Sequence, residues 1–289
     1  MPLEDLRVWV AERVRAGVAG PSEQAAERRA ALFDAPGERW FDEDAAIMRV
    51  HGDSAMFVGG LRALLLQSLH PHAMAGVAQH SDYRHDPWGR LQRTADFLAA
   101  TTFGPADQAE LAIARVRSVH ERVTGVADDG QRYEANDPHL LRWVHIVEVD
   151  SFLSANRRYG ADPLSDLEAD EYVSQMAVIA HHLGVPAPPQ SVRALHDQIR
   201  SYRPELRASR DAREAARFLL IQPPMPLAVR PAYGVLAAAA VALLPRWART
   251  PLRLPWLPVT EFLAVRPAGH VLTSALRWAL STPPQAPTH

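Results

Sequence analysis

Cysteine does not occur in this 289-residue chain. That removes disulfides, iron–sulfur clusters, zinc–thiolate sites, thiolate-ligated haem and cysteine nucleophiles together. Lysine is missing as well, so all 31 basic side chains other than histidine are arginine. Coding bias in a GC-rich genome accounts for that total and for the abundant alanine, but not for where individual arginines stand. The charges nearly cancel, with a formal net charge of −2, and no general field exists to draw in nucleic acid. Long apolar runs are lacking too. The longest, residues 233–244, has about a dozen residues where a transmembrane helix needs about 20. It reads as a buried or interfacial helix. The N-terminal segment carries Glu4, Asp5 and Arg7 and no apolar signal core. A cytoplasmic location is therefore expected, with peripheral membrane contact through the C-terminal region as a further reading.

What is present is an ordinary globular balance, 47% apolar and 22% charged. Strand formers are scarce while alanine, leucine and arginine are common, so helix is the default. The chain is expected to be one all-α domain over residues 1–289, with a Pro-, Trp- and Arg-rich helical extension over 223–289. Residues 3–18 read as an amphipathic helix and 24–33 as a short polar one. Asp53 or Ser54 can cap a helix through Met56, Leu61 and Leu69. Pro71, Pro87, Pro105 and Pro138 each stand where a helix begins. The helix from Pro105 is expected to run to Gly125, the polar stretch 126–136 to be a loop, and the helix from Pro138 to end at Tyr159 with Gly160 as its cap. Ser165 and Glu168 have the spacing of a capping box.

Thirteen histidines are present, and many fall between His51 and His145. On a helical period Ile113, Val116, His120 and Val123 share one stripe, with Arg115, Glu121 and Arg122 opposite. His120 thus points with the apolar face. A hydrogen-bonded core histidine explains this, and so does a metal or haem ligand. The run from Leu140 to Leu153 is apolar on nearly all sides yet carries His145, Glu148 and Asp150. Buried acids need partners, so this helix reads either as part of a polar network with arginines or as the wall of a site. Arg90, Arg93 and Thr94 lie on one helix face, where two guanidiniums and a hydroxyl can hold carboxylates or simply meet water.

In order along the chain stand Arg49-Val-His-Gly-Asp-Ser-Ala, Gly59-Gly-Leu-Arg-Ala, Leu69-His-Pro, Val77-Ala-Gln-His-Ser-Asp-Tyr and Asp86-Pro-Trp-Gly-Arg-Leu-Gln-Arg-Thr. Thr102-Phe-Gly, Val119-His-Glu-Arg-Val, Asp137-Pro-His-Leu-Leu-Arg-Trp-Val-His and Pro163-Leu-Ser follow. Together, over about residues 40–190, they resemble the haem-dependent oxygenase family of the latex-clearing protein catalytic domain and the MpaB-type oxygenases. The resemblance implies an all-α fold, globin-like in packing style, with haem b between helices. It implies His120 as the iron ligand, with Arg90, Arg93, Thr94 and His145 around the cofactor. Asp82, His80 and Arg93 become candidates for distal proton or hydrogen-bond groups. Where the latex-clearing enzymes have a lysine before the threonine, this chain has Arg93, which stays protonated and is a poor iron ligand. No counterpart of the rubber enzymes' catalytic glutamate is found, so rubber cleavage is not what the resemblance implies.

The activity implied is oxygenation of a lipophilic alkene or isoprenoid-like molecule with O₂. Its rivals are a haem-binding sensor or carrier without turnover, and a non-haem metallohydrolase built on His85 and Asp86 or on the His70/His72 pair.

Overall fold

The computed structural model describes residues 32–33, 35–81, 83–222 and 225–281. The helix expected over 3–18, most of that over 24–33, and Asp82 lie outside the described residues. The chain is mostly helical. Helices α1 (Ala46–Gly52), α2 (Met56–Gln67), α3 (Pro71–His80), α4 (Pro87–Phe103) and α5 (Ala106–His120) lead to a small hairpin of β1 (Thr124–Val126) and β2 (Arg132–Glu134). Then come α6 (Pro138–Tyr159), α7 (Asp166–Leu183), α8 (Val192–Tyr202), α9 (Arg210–Ile221) and α10 (Arg230–Leu243). After the single turn α11 (Arg246–Arg249), a π turn at Glu261–Val265 runs directly into α12 (Arg266–Leu280).

The spine is α6, which buries Trp143, Ile146, Val147, Val149, Phe152, Ala155 and Tyr159. Helix α2 lies against it at the one point where bulk would not fit. A Cβ on Gly59 would stand 2.7 Å from Phe152 Cδ1 and 3.1 Å from the Phe152 Cα. Three positions along α2, Arg62 enters the same interface. Its guanidinium donates to Ser151 Oγ, to Asp150 Oδ2 at 2.7 Å and to the Leu243 carbonyl of α10 at 3.1 Å. Helix α10 covers the other side of α2 through Ala237, Ala239 and Ala240.

Helix α12 is clamped to the core. Arg277 donates to both Asp53 oxygens, at 2.9 and 3.2 Å, and to the Tyr159 carbonyl, while Ser54 Oγ donates to the Thr273 carbonyl.

Proline and caps act largely as the sequence predicts. Pro71, Pro87 and Pro138 occupy first turns. The Ser165–Glu168 capping box is formed in both directions, and α7 ends on left-handed Gly184 (φ 92°). Gly160 caps α6 in an extended conformation instead. The glycine is needed there because a Cβ would stand 2.6 Å from the Asn156 carbonyl oxygen. The stretch expected to be a loop forms the hairpin, with Thr124 paired to Glu134 and Val126 to Arg132. Its turn, Asp128-Asp129-Gly130 with Gly130 at φ 80°, is hairpin chemistry.

Helix α5 stops at His120 rather than Gly125, because β1 takes the residues that follow. Between α4 and α5 the chain has two residues, Gly104 and Pro105. This corner is held by the Glu38 carbonyl, which accepts from Ala106 N at 2.8 Å, and by Arg39, whose guanidinium donates to the Phe103 carbonyl.

Candidate functional site

Helix α5 buries Ala109 and Ile113 near its start, and its exposure grows toward the end, where Arg117, Ser118 and Val119 face solvent. His120, the last helical residue, is half-buried. Its Nδ1 is buried without a hydrogen-bond partner among the described residues. Burial lowers the imidazole pKa from its ordinary value, against an opposing hydrogen bond with the Asn136 side chain. The ring is therefore neutral at pH 7, the form that binds a metal.

The last turn of α3 joins this region to α4. His80 Nε2 donates to the Thr124 carbonyl at 2.9 Å, and Gln79 Nε2 to that of Val126 at 2.9 Å. The next residue, Ser81, accepts from Arg90 Nη1 at 2.9 Å. One helix end thus binds both the strand that follows His120 and the arginine of α4. Arg90 is largely enclosed, and burial lowers its pKa, with Arg93 adding to the effect. It stays protonated and keeps N–H donors for an anion. The other two residues of that face point elsewhere. Arg93 donates to Asp86 Oδ2 at 3.3 Å in an exposed pair. The Thr94 hydroxyl is exposed and donates back to the Arg90 carbonyl at 3.1 Å.

A second polar group lies deep in the core. His51 of α1 shares its Nδ1 with Thr102 Oγ1 at 2.7 Å and its Nε2 with the Tyr172 hydroxyl at 3.3 Å. Burial drives His51 down to about 3. His145 of α6 is buried, its Nε2 has no partner among the described residues, and its pKa falls to about 4 for the same reason. Glu148, one turn on, is pushed up to about 7 by burial, and its charge helps raise the Tyr172 hydroxyl well above the ordinary value. Asp150 behaves oppositely. Burial favours its protonation, but the Arg62 guanidinium and His196 hold it below the usual carboxylate range. So of the acids on α6, Asp150 belongs to an arginine network and Glu148 does not.

A third cluster was not legible as a unit in the sequence. His70, just before α3, His139 in the first turn of α6, and Glu205 beyond α8 place one nitrogen or carboxylate oxygen each within 4.8 Å of one another. His72 is not part of it, since its Nε2 faces Asp129 at 3.3 Å. The three residues come from segments far apart in sequence, so no local spacing could reveal them. His51, Thr102 and Tyr172 escape sequence reading for the same reason.

These features define a helical protein with imidazoles placed at helix ends, where they could hold a metal. The family model described as "ER-bound oxygenase mpaB/B'/Rubber oxygenase, catalytic domain" matches residues 48–278, and the chain belongs to that family of oxygenases. The matched span reaches from α1 through α12, and so includes the C-terminal helices. No curated protein and no solved structure shows a significant match to the chain.

Proposed function

We propose that the protein is a haem b-dependent oxygenase that acts with O₂ on a lipophilic small molecule of alkene or isoprenoid type. The observation that carries the reading is His120. In a chain of an oxygenase family, a neutral imidazole stands at a helix end with one buried nitrogen that no described residue hydrogen-bonds. The residues fit the cofactor: His120 would hold the iron, and Arg90, steadied by Ser81, would meet a propionate. Arg93 and Thr94, exposed on the same helix, would join it by rotamer changes, and His145 would form a wall. Bound haem supplies an iron centre that binds and activates O₂.

The chain's own residues do the rest. On the His120 stripe, buried Ile113 excludes water and half-buried Val116 would meet an apolar substrate. His80 and Arg93, with Asp82, are the groups proposed to position or deliver a proton. Titrating the protein with haemin should give a Soret band for wild type that is shifted and weakened at least tenfold in affinity in His120→Ala. Identical spectra for the two would overturn the assignment. Oxygen uptake with an isoprenoid alkene separates this oxygenase from a haem sensor or carrier, which would show two strong axial ligands and no uptake.

Among the described residues no helix is long and apolar enough to cross a membrane. Trp256, Leu257, Val259 and Phe262 are nevertheless exposed beside Arg246 and Arg266, whose guanidiniums lie over the Trp256 and Phe262 rings. A basic-aromatic edge of this kind favours peripheral contact with a lipid surface, and co-sedimentation with anionic liposomes would register it.

A further inference from the structure

We infer that His70, His139 and Glu205 form a binding site for a divalent first-row transition-metal ion, separate from His120 and independent of the haem reading. The donors are two imidazoles and one carboxylate. His139 Nε2 stands 2.8 Å from Glu205 Oε2, and His70 Nε2 stands 3.6 Å from the same oxygen. Ligands about 2.1 Å from a tetrahedral metal stand about 3.4 Å apart, so these two separations bracket the required spacing.

His70 supplies the independent sign that something belongs there. It is 4% exposed, and among the described residues neither ring nitrogen has a partner within hydrogen-bond distance, Glu205 at 3.6 Å lying just beyond it. A buried imidazole left so is uncommon in a folded chain, and a metal ion satisfies the nitrogen that faces Glu205. The site is also built by its surroundings. Trp143, fully buried, lies against His70, and Tyr202 stacks on His139 at 4.4 Å while its hydroxyl donates to the His139 carbonyl at 2.8 Å. The turn carrying Glu205 is tied to the other side, because Arg207 N donates to the Leu69 carbonyl at 2.9 Å. The Arg207 guanidinium, two residues from Glu205, is engaged with Asp129 at 2.6 Å instead.

The donor set selects the class of ion. Two nitrogen ligands disfavour calcium and magnesium, which take oxygen, and suit zinc and its neighbours. Three protein ligands leave a coordination position open, and the half-exposed His139 and Glu205 put that position at the surface. Bound metal would join the entry to α3, the first turn of α6 and the exit from α8.

The test uses the full chain, stripped with chelator and titrated with Zn²⁺, and with Co²⁺ as a coloured probe. Wild type should bind one Zn²⁺ with a dissociation constant at or below about 1 μM at pH 7.5, gain thermal stability, and give a visible Co²⁺ band. His139→Ala and Glu205→Gln should each weaken binding at least 100-fold, and His120→Ala should not change it. Failure of wild type to bind at micromolar Zn²⁺ would overturn the site. So would Glu205→Gln binding as wild type does, which marks adventitious capture by other histidines. Should His139→Ala fail to fold, Glu205→Gln decides alone, with far-UV circular dichroism confirming its fold.

Discussion

At the scale of single residues, the core holds ionisable groups whose burial pulls in opposite directions. His51, near 3, and His145, near 4, stay neutral in the folded chain, whereas in the unfolded chain they take a proton as pH falls through about 6.5. The unfolded state then binds more protons, so these two residues make stability fall on acidification below that point. Glu148 does the reverse. Its folded value near 7 lies above the ordinary 4.5, so the folded chain keeps a proton that the unfolded chain releases. Stability falls as pH rises from about 4.5 to about 7 and stays lower above it. Glu148→Gln removes this second effect. Its gain over wild type should grow by about 2 kcal/mol between pH 5 and pH 8 in denaturant melts, where a 1.4 kcal/mol change corresponds to one pKa unit. Parallel curves at both pH values would show that Glu148 ionises freely.

At the scale of elements, the contact of α2 with α6 depends on one missing side chain. Gly59→Ala puts a methyl group against Phe152, including its backbone, and should cost about 1–3 kcal/mol through overpacking. Gly76 of α3 is its control. There the nearest atom to a new Cβ is a Tyr133 ring carbon at 3.5 Å, ordinary contact, and Gly76→Ala should stabilise by about 0.5–1 kcal/mol from helix propensity. Thermal melts of the two variants should move in opposite directions.

The same pair shows what could be read in advance. Prolines at first turns and the Ser165–Glu168 box act locally, so the sequence displays them. That Gly59 faces Phe152 while Gly76 does not depends on how helices cross, and no window of residues records it. The hairpin at Thr124–Glu134 is an intermediate case. Its Asp-Asp-Gly turn was readable, but strands of three residues are too short for alternation to stand out. Of the proposed haem residues, His120 and Arg90 were found from helix faces. The tie of Arg90 to Ser81 and of the Thr124 carbonyl to His80 rests on α3, and the His70–His139–Glu205 grouping on three separate elements.

At the scale of the whole molecule, the C-terminal region is part of the core rather than an addition to it. Ala237, Ala239 and Ala240 complete a cluster with Val58, Leu61, Ala155 and Tyr159, and Arg277 pairs with the half-buried Asp53. Arg277→Met leaves that carboxylate with only the backbone N–H groups of Ala55 and Ala161 and should destabilise by about 1–3 kcal/mol. Limited proteolysis should then release the α12 segment before the rest of the chain. Uniform loss of protection across the molecule would instead mean that α12 unfolds only with everything else.

The corner at Gly104–Pro105 has a consequence for how this chain can vary in length. It fixes the phase between the arginine-bearing helix and the helix that ends in His120. Each residue added or removed there turns the second helix by about 100° and slides it by about 1.5 Å, which swings the imidazole to another side of the molecule. The tip at Asp128–Gly130 sets no such phase, although Asp129 ties it to His72 and Arg207. Natural and engineered variants should therefore keep the two-residue corner as a ruler.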